Sequence, residues 1–162
     1  LAPSIRIACM VLPGQLLDRY HAAFGSYSNT VSRFEQQTLR RFLAEGCFTR
    51  HLARMRGVYK ARMERLAQEL ERRFGREEIL LQGRHTGLHL LLSLLHGPGE
   101  AAMEASARTA GVGLRGLSGY YMERKEACPE NTVVLGYASL RDEEIPSLVD
   151  ALYSAWRGAK DG

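Results

Sequence analysis

Arg6 carries the most chemical content in this chain, because it interrupts the apolar run from Ile5 to Leu12 (IRIACMVL). In a strand covered on both faces an unpaired guanidinium is costly, so Arg6 needs an anion or a carboxylate. Its planar fork of donors can grip two oxygens of a phosphate. The other partner open to it is an Asp or Glu at the edge of the core, and the residues alone favour that ion pair. His51, His85 and His89 are not spaced as metal ligands; His89 alternates with leucines on a strand, as a surface or hydrogen-bonded core residue does. Cys9, Cys47 and Cys128 are too scattered for a disulfide framework and lack the close Cys or His partner of a zinc site. They read as reduced structural thiols, and no metal is expected.

The elements that must position these residues follow from periodicity. Ile5 to Leu12 predicts a short buried strand bounded by prolines. Leu16, Leu17, Tyr20 and Phe24 lie at helical spacing and predict a helix that stops at Gly25 in a left-handed cap. Ser32 followed by Glu35 offers a capping box for a second helix, whose stripe of Phe34, Leu39, Phe42 and Leu43 runs up to Gly46. The strongest pattern comes next. Phe48, Leu52, Met55, Tyr59, Met63, Leu66, Leu70 and Phe74 recur every three or four residues and predict one long amphipathic helix closed by Gly75.

Beyond it the period shortens. Ile79 to Leu81 and Leu88 to Leu95 read as two antiparallel strands, Gly99 to Ala110 as a helix, and Val112 to Leu117 and Thr132 to Ala138 as further strands. Glu143 to Trp156 reads as a last helix, with Pro146 tolerable only near its first turn. The expected fold class is α+β: a small antiparallel or mixed sheet covered by helices, with one long connecting helix.

The chain has 162 residues, enough for one ordinary domain or two small lobes. Its composition, 45% apolar and 25% charged, is that of a soluble globular protein. No run approaches the ~18 consecutive apolar residues of a membrane helix, and no leader pattern precedes a cleavage site, which predicts a cytoplasmic protein without a membrane partner. The net charge of +4 comes mainly from arginines between Arg33 and Arg76. A solvated helix face explains them better than a polyanion surface, because glutamates are interleaved around the helix.

Leu1 to Pro13 (LAPSIRIACMVLP) is similar to the segment that follows the cofactor lysine in fold-type I pyridoxal phosphate proteins, and most resembles the aminotransferase-like domain of MocR-type regulators in the GntR superfamily. Further stretches carry the resemblance in order: Ser32 to Leu39 (SRFEQQTL) with Phe42, Leu43 and Gly46; Arg50 to Arg56 (RHLARMR) with Tyr59 and Arg62; Gly87 to Leu91 (GLHLL); Leu117 to Tyr121 (LSGYY); and Leu135 to Leu140 (LGYASL) followed by Asp142 to Ile145. The resemblance implies that Arg6 binds the phosphate of pyridoxal 5'-phosphate. It also implies a Schiff-base lysine about seven residues before Arg6, outside the sequence. Lys60, Lys125 and Lys160 do not occupy that context. The opening run therefore reads as the cut end of a larger protein. Residues 1–46 are expected to be a remnant of the large cofactor-binding lobe, and residues 47–162 the long helix plus a C-terminal small lobe. No catalytic residue is expected in the fragment, and no cofactor is expected to stay on it alone.

Tyr120 and Tyr121 line the ligand cleft if the corresponding loop of the relatives is a guide, or pack at a sheet edge; both readings stay open. Two departures from the family pattern matter. Ala8-Cys9 stands where relatives have Gly-Tyr, and Asn131 to Tyr137 (NTVVLGY) lacks the arginine that full aminotransferases use for the substrate carboxylate. The resemblance thus favours a sensing domain that binds cofactor and a small amino-acid-like effector, in a homodimer whose DNA contact is made by an N-terminal winged helix. The competing reading is the C-terminal fragment of a plain aminotransferase.

Overall fold

The computed structural model describes residues 5–84, 87–122 and 129–157. It divides into two compact units, Leu1–Leu52 and Ala53–Gly162.

The first unit is helical. Residues 5–13 have no regular secondary structure, which corrects the expected strand from Ile5 to Leu12. A strand is held by a ladder of hydrogen bonds to a neighbour, and the described residues of this unit contain no second strand to pair with. Helix α1 spans Gly14–Phe24, and its first turn closes where the Leu16 and Leu17 N–H groups donate to the Pro13 carbonyl at 2.9 and 3.1 Å. Gly25 follows it with φ −60°, ψ −21°, in right-handed backbone; the expected left-handed cap is not formed. Helix α2 spans Arg33–Ala44 after Ser32, but the Ser32 hydroxyl makes no capping bond. The approach to α2 is held instead by Asn29, whose Oδ1 accepts the Val31 N–H at 2.8 Å, and by the Gln36 side chain donating to the Val31 carbonyl at 2.8 Å. Gly46 has φ +67°, a conformation that glycine adopts without penalty, and it separates α2 from the next helix.

Helix α3 spans Cys47–Phe74, within which the boundary between the units falls. Its predicted stripe is buried over its last three turns, at Met63, Leu66, Leu70 and Phe74. Gly75, at φ +89°, ends it as expected.

The second unit holds a four-stranded antiparallel sheet of order β1-β2-β4-β3, with β1 Ile79–Gln82, β2 His89–Leu94, β3 Arg115–Gly116 and β4 Thr132–Gly136. Helix α4, Glu100–Thr109, lies between β2 and β3 in sequence, and α5, Ile145–Arg157, closes the described chain. Pro146 sits in the first turn of α5, where its missing N–H costs nothing. The expected strand from Val112 to Leu117 is reduced to two residues, because Leu117–Tyr120 turns into a 3-10 helix.

Register assigns the two faces of the sheet. Leu92 lies opposite Leu81 on one side and Val133 on the other, and Leu90 lies opposite Leu135, so these residues share one face with Ile79 and Leu94. That face packs against Leu66, Leu70, Met103, Val149, Leu152 and Trp156, all at most 1% exposed. The Trp156 indole N–H donates to the Met103 carbonyl at 3.1 Å, which satisfies the one polar atom of a side chain 1% exposed. On the other face, register partners Ser93 and Thr132 share a buried hydroxyl hydrogen bond of 2.7 Å.

Several arginines expected on a solvated helix face are instead fasteners. Arg62, with a side chain only 17% exposed, donates to the Ala138 carbonyl at 2.6 Å and to Asp142 at 3.3 Å. Arg73 pairs with Asp150 at 2.7 Å and stacks 3.9 Å above the Tyr153 ring. Arg54 and Arg56 are exposed on α3, which fits either solvent-facing positions or subunit contacts.

Candidate functional site

Alternation along the strands leaves His89, Leu91, Val134 and Arg115 on the face turned away from the helices, since Arg115 is paired with Val134 and Val134 with Leu91. These residues, together with Leu88, Leu117 and Tyr120, line an open, mainly aliphatic groove of about 670 Å³. A volume of this order suits a small organic ligand.

The wall bearing Tyr120 is set by two carboxylates of α4. Glu100 accepts the Ser118 N–H at 2.8 Å and also the Ser118 hydroxyl, while Glu104 accepts the Gly116 N–H at 2.6 Å. Gly116 is required by the close approach: a Cβ at this position would overlap the Glu100 side chain. Tyr120 is thereby presented at the groove, 66% exposed. Tyr121 is exposed and is not among the groove-lining residues; its N–H donates to the Ser118 carbonyl at 3.1 Å.

Tyr137, which follows the groove-lining Gly136 and is buried in the core, donates its hydroxyl to the Gly87 carbonyl at 3.0 Å. Burial pushes the Tyr137 phenol above its ordinary pKa of 10.0. His89 is exposed at the groove, in agreement with a surface strand residue.

Arg6 belongs to the first unit and is exposed on the irregular stretch before α1. Its guanidinium is therefore not buried at a strand centre, and the desolvation argument for an obligatory partner does not apply. Its donor set suits a phosphate of pyridoxal phosphate. Lys60, the one lysine among the described residues, is an exposed α3 residue 3.9 Å from Glu64, and Lys125, Lys160 and His85 lie outside the described residues. Cys9 is an exposed thiol, not the structural one expected, and the Cys47 sulfur accepts from Arg50 at 3.2 Å; Cys128 is outside the described residues. No group of three or more potential metal ligands occurs among the described residues, and none of their helices is long and apolar enough to cross a membrane.

Arg115 was not singled out by its sequence context. The signal was present in the alternation of Val112 to Leu117, which places Arg115 on the face opposite Leu114 and Gly116.

No protein-family model matches the chain. It is 32% identical over 157 residues to the uncharacterized HTH-type transcriptional regulator YdeL of Bacillus subtilis (strain 168), covering 97% of this chain and 33% of the relative. A second regulator of that organism, YhdI, is 31% identical with coverage of 96% and 32%. The probable rhizopine catabolism regulatory protein MocR of Rhizobium meliloti is 27% identical, with coverage of 96% and 31%. The chain thus spans about a third of the length of the curated relatives it matches. Among solved structures, the α-aminoadipate aminotransferase LysN of Thermus thermophilus, complexed with N-(5'-phosphopyridoxyl)-L-leucine, superposes with a TM-score of 0.73 at 24% identity, covering 91% of this chain and 36% of that one. The kynurenine aminotransferase of Pyrococcus horikoshii gives 0.76 at 19% identity, with coverage of 92% and 36%. The chain is homologous over nearly its whole length to MocR-type, HTH-type transcriptional regulators, and its α+β fold is that of pyridoxal phosphate aminotransferases.

Proposed function

We propose that this chain is the C-terminal part of an aminotransferase-like sensing domain, in a cytoplasmic, homodimeric regulator that binds DNA through a separate helix-turn-helix domain. Residues 1–46 belong in this reading to the large cofactor-binding lobe, and residues 47–162 are α3 with the small lobe. The observation that carries it is the match to HTH-type regulators along 97% of the chain, combined with an aminotransferase fold. In the full regulator, Arg6 grips the phosphate of pyridoxal phosphate, and the groove at Tyr120, flanked by Tyr121, receives a small amino-acid-like effector. The cofactor supplies a carbonyl that can form a Schiff base with an amine. Neither Lys60 nor the other lysines of this chain serve as that amine, so the piece is not itself catalytic.

The test is cofactor binding. The full regulator is expected to take up pyridoxal phosphate with Schiff-base absorbance, and Arg6→Ala to weaken uptake by about tenfold, the scale of a lost charge-assisted contact. The isolated chain is expected to give no such absorbance. A Schiff-base band in the isolated chain that vanishes on replacing one of its three lysines overturns the proposal.

A further inference from the structure

The glutamates interleaved on α3 all lie in its second half. No Asp or Glu occurs between Glu45 and Glu64, a stretch that carries Arg50, Arg54, Arg56, Lys60 and Arg62. Arg50 with Arg54 and Arg56 with Lys60 place like charges one turn apart, which costs a helix stability. Other arginines of the second unit are tied to carboxylates: Arg62 to Asp142, Arg73 to Asp150 and Arg157 to Glu78. Arg54 and Arg65 are exposed, and among the described residues neither lies within ion-pair distance of a carboxylate. The glutamates closest to Arg65 along the helix are paired with other cations, Glu64 with Lys60 at 3.9 Å and Glu69 with Arg72 at 2.8 Å.

Eleven residues separate Arg54 from Arg65, about three turns, so the two share one face and stand roughly 16 Å apart along the axis. That face is turned away from the buried Met63, Leu66 and Leu70, and between the two arginines it presents Gly57 and Ala61, both exposed. Gly57 stands in mid-helix, where glycine is the poorest residue after proline. A Cβ there would meet nothing within 4 Å, so packing inside the chain does not call for it. Two unpaired guanidiniums that bracket a floor of small residues leave room for a polyanionic backbone to come close to the helix.

We propose that this face of α3 is a contact for the phosphate backbone of duplex DNA. Arg54 and Arg65 each grip a phosphate, and Gly57 and Ala61 let the sugar-phosphate chain approach between them. A second copy of this chain does not suit the face, since it brings a net charge of +4 and the same positive stripe. The contact reads no bases; it adds affinity and fixes how the duplex lies. The inference rests on the DNA-binding regulator proposed above, in which the helix-turn-helix domain reads the sequence and α3 holds the flanking duplex. It is independent of Arg6, of the groove and of the cofactor.

The experiment is fluorescence anisotropy of a labelled mixed-sequence duplex titrated with this chain across a range of salt. Wild type is expected to bind with an affinity that falls as salt rises, the log–log slope counting about 0.9 per phosphate contacted. The Arg54→Gln/Arg65→Gln double variant should bind at least about tenfold more weakly, with a slope shallower by about 2. Arg19→Gln/Arg33→Gln removes two equally exposed arginines of the first unit, changes the net charge identically and should leave the slope unchanged. Gly57→Leu, a better helix former in open space, should melt at a higher temperature and yet bind the duplex several-fold more weakly. An unchanged thermal melt checks the fold of the glutamine variants. No duplex binding by wild type, undiminished binding by the Arg54/Arg65 variant, an equal loss in the Arg19/Arg33 control, unchanged binding by Gly57→Leu, or polyglutamate in solution leaving the duplex bound only through the control arginines would each overturn the assignment. In the full regulator, the Arg54/Arg65 variant should still bind the duplex through the helix-turn-helix domain, with the same shallower slope. A wild-type regulator that binds no duplex counts against the regulator reading, whereas a regulator that binds with a slope the variant does not change counts against α3 alone.

Discussion

Glu100 and Ser118, eighteen residues apart, are joined by two hydrogen bonds from the Ser118 N–H and hydroxyl to one carboxylate. Through this contact the first turn of α4 holds the 3-10 turn that carries Tyr120. Glu100→Ala should destabilise the fold by about 1–3 kcal/mol, the usual cost of hydrogen bonds to a charged group. Gly116→Ala should act on the same contact, since its added methyl displaces the Glu100 side chain. Urea unfolding of the single and double variants tests this: the two costs should be clearly less than additive. Simple additivity would separate the glycine from the carboxylate.

Trp156 is the single tryptophan and is 1% exposed, so native fluorescence should be blue-shifted and report on core integrity. Trp156→Ala should cost about 3–5 kcal/mol by removing its ring from the contacts with Phe74 and α4. Trp156→Phe should cost less, mainly through the lost indole bond to Met103. Chemical denaturation that ranks the two variants the other way would contradict the packing described.

Glu71 is 15% exposed and accepts from Arg84, with Arg76 at 3.0 Å; the Arg84 hydrogen bond is the largest influence and holds the carboxyl below its ordinary pKa of 4.5. A lowered folded-state pKa stabilises the protein above the unfolded-state value and loses that contribution as pH falls through the folded-state value. Glu71→Gln should therefore be less stable than wild type at pH 7, with the difference closing below pH 4.5. Thermal melts across that range check the sign. A gap that widened in acid would rule out the ion pair as its source.

Two cations on α3 should behave differently when neutralised. Arg62→Met removes partly buried bonds to Ala138 and Asp142 and should cost about 1–3 kcal/mol. Lys60→Met removes an exposed i,i+4 pair and should change stability by no more than about 0.5 kcal/mol. Equal effects in parallel urea titrations would mean that Arg62 acts by charge alone.

The long helix was legible because eight apolar residues from Phe48 to Phe74 repeat at one period, as do those of α5 from Ile145 to Trp156; β1, β2 and β4 were legible as short apolar runs, and α4 by the glycines that bound it. Local signals failed where tertiary context decides. Ile5 to Leu12 has a strand composition without a strand beside it, and Ser32 is a good capping residue that makes no capping bond. Val112 to Leu117 alternates like a strand, yet Glu104 captures the Gly116 amide and Glu100 that of Ser118 just beyond it, and the chain turns after two paired residues. The groove depends on that turn, so Tyr120 could be suspected from sequence while its neighbours could not. Asn131 to Tyr137 contains no arginine, but the residue opposite Val134 in the next strand is one, a pairing visible only through register.

The Gly116 N–H, on the last strand of the sheet, is directed at Glu104 and not at β4. Sheets grow when a free row of donors and acceptors recruits a strand from another molecule. Here the row is two residues long and its donor is consumed by an internal carboxylate. An incoming chain would have to evict Glu104 before pairing, so association of copies along this border is disfavoured, and Glu104 guards solubility as well as shape.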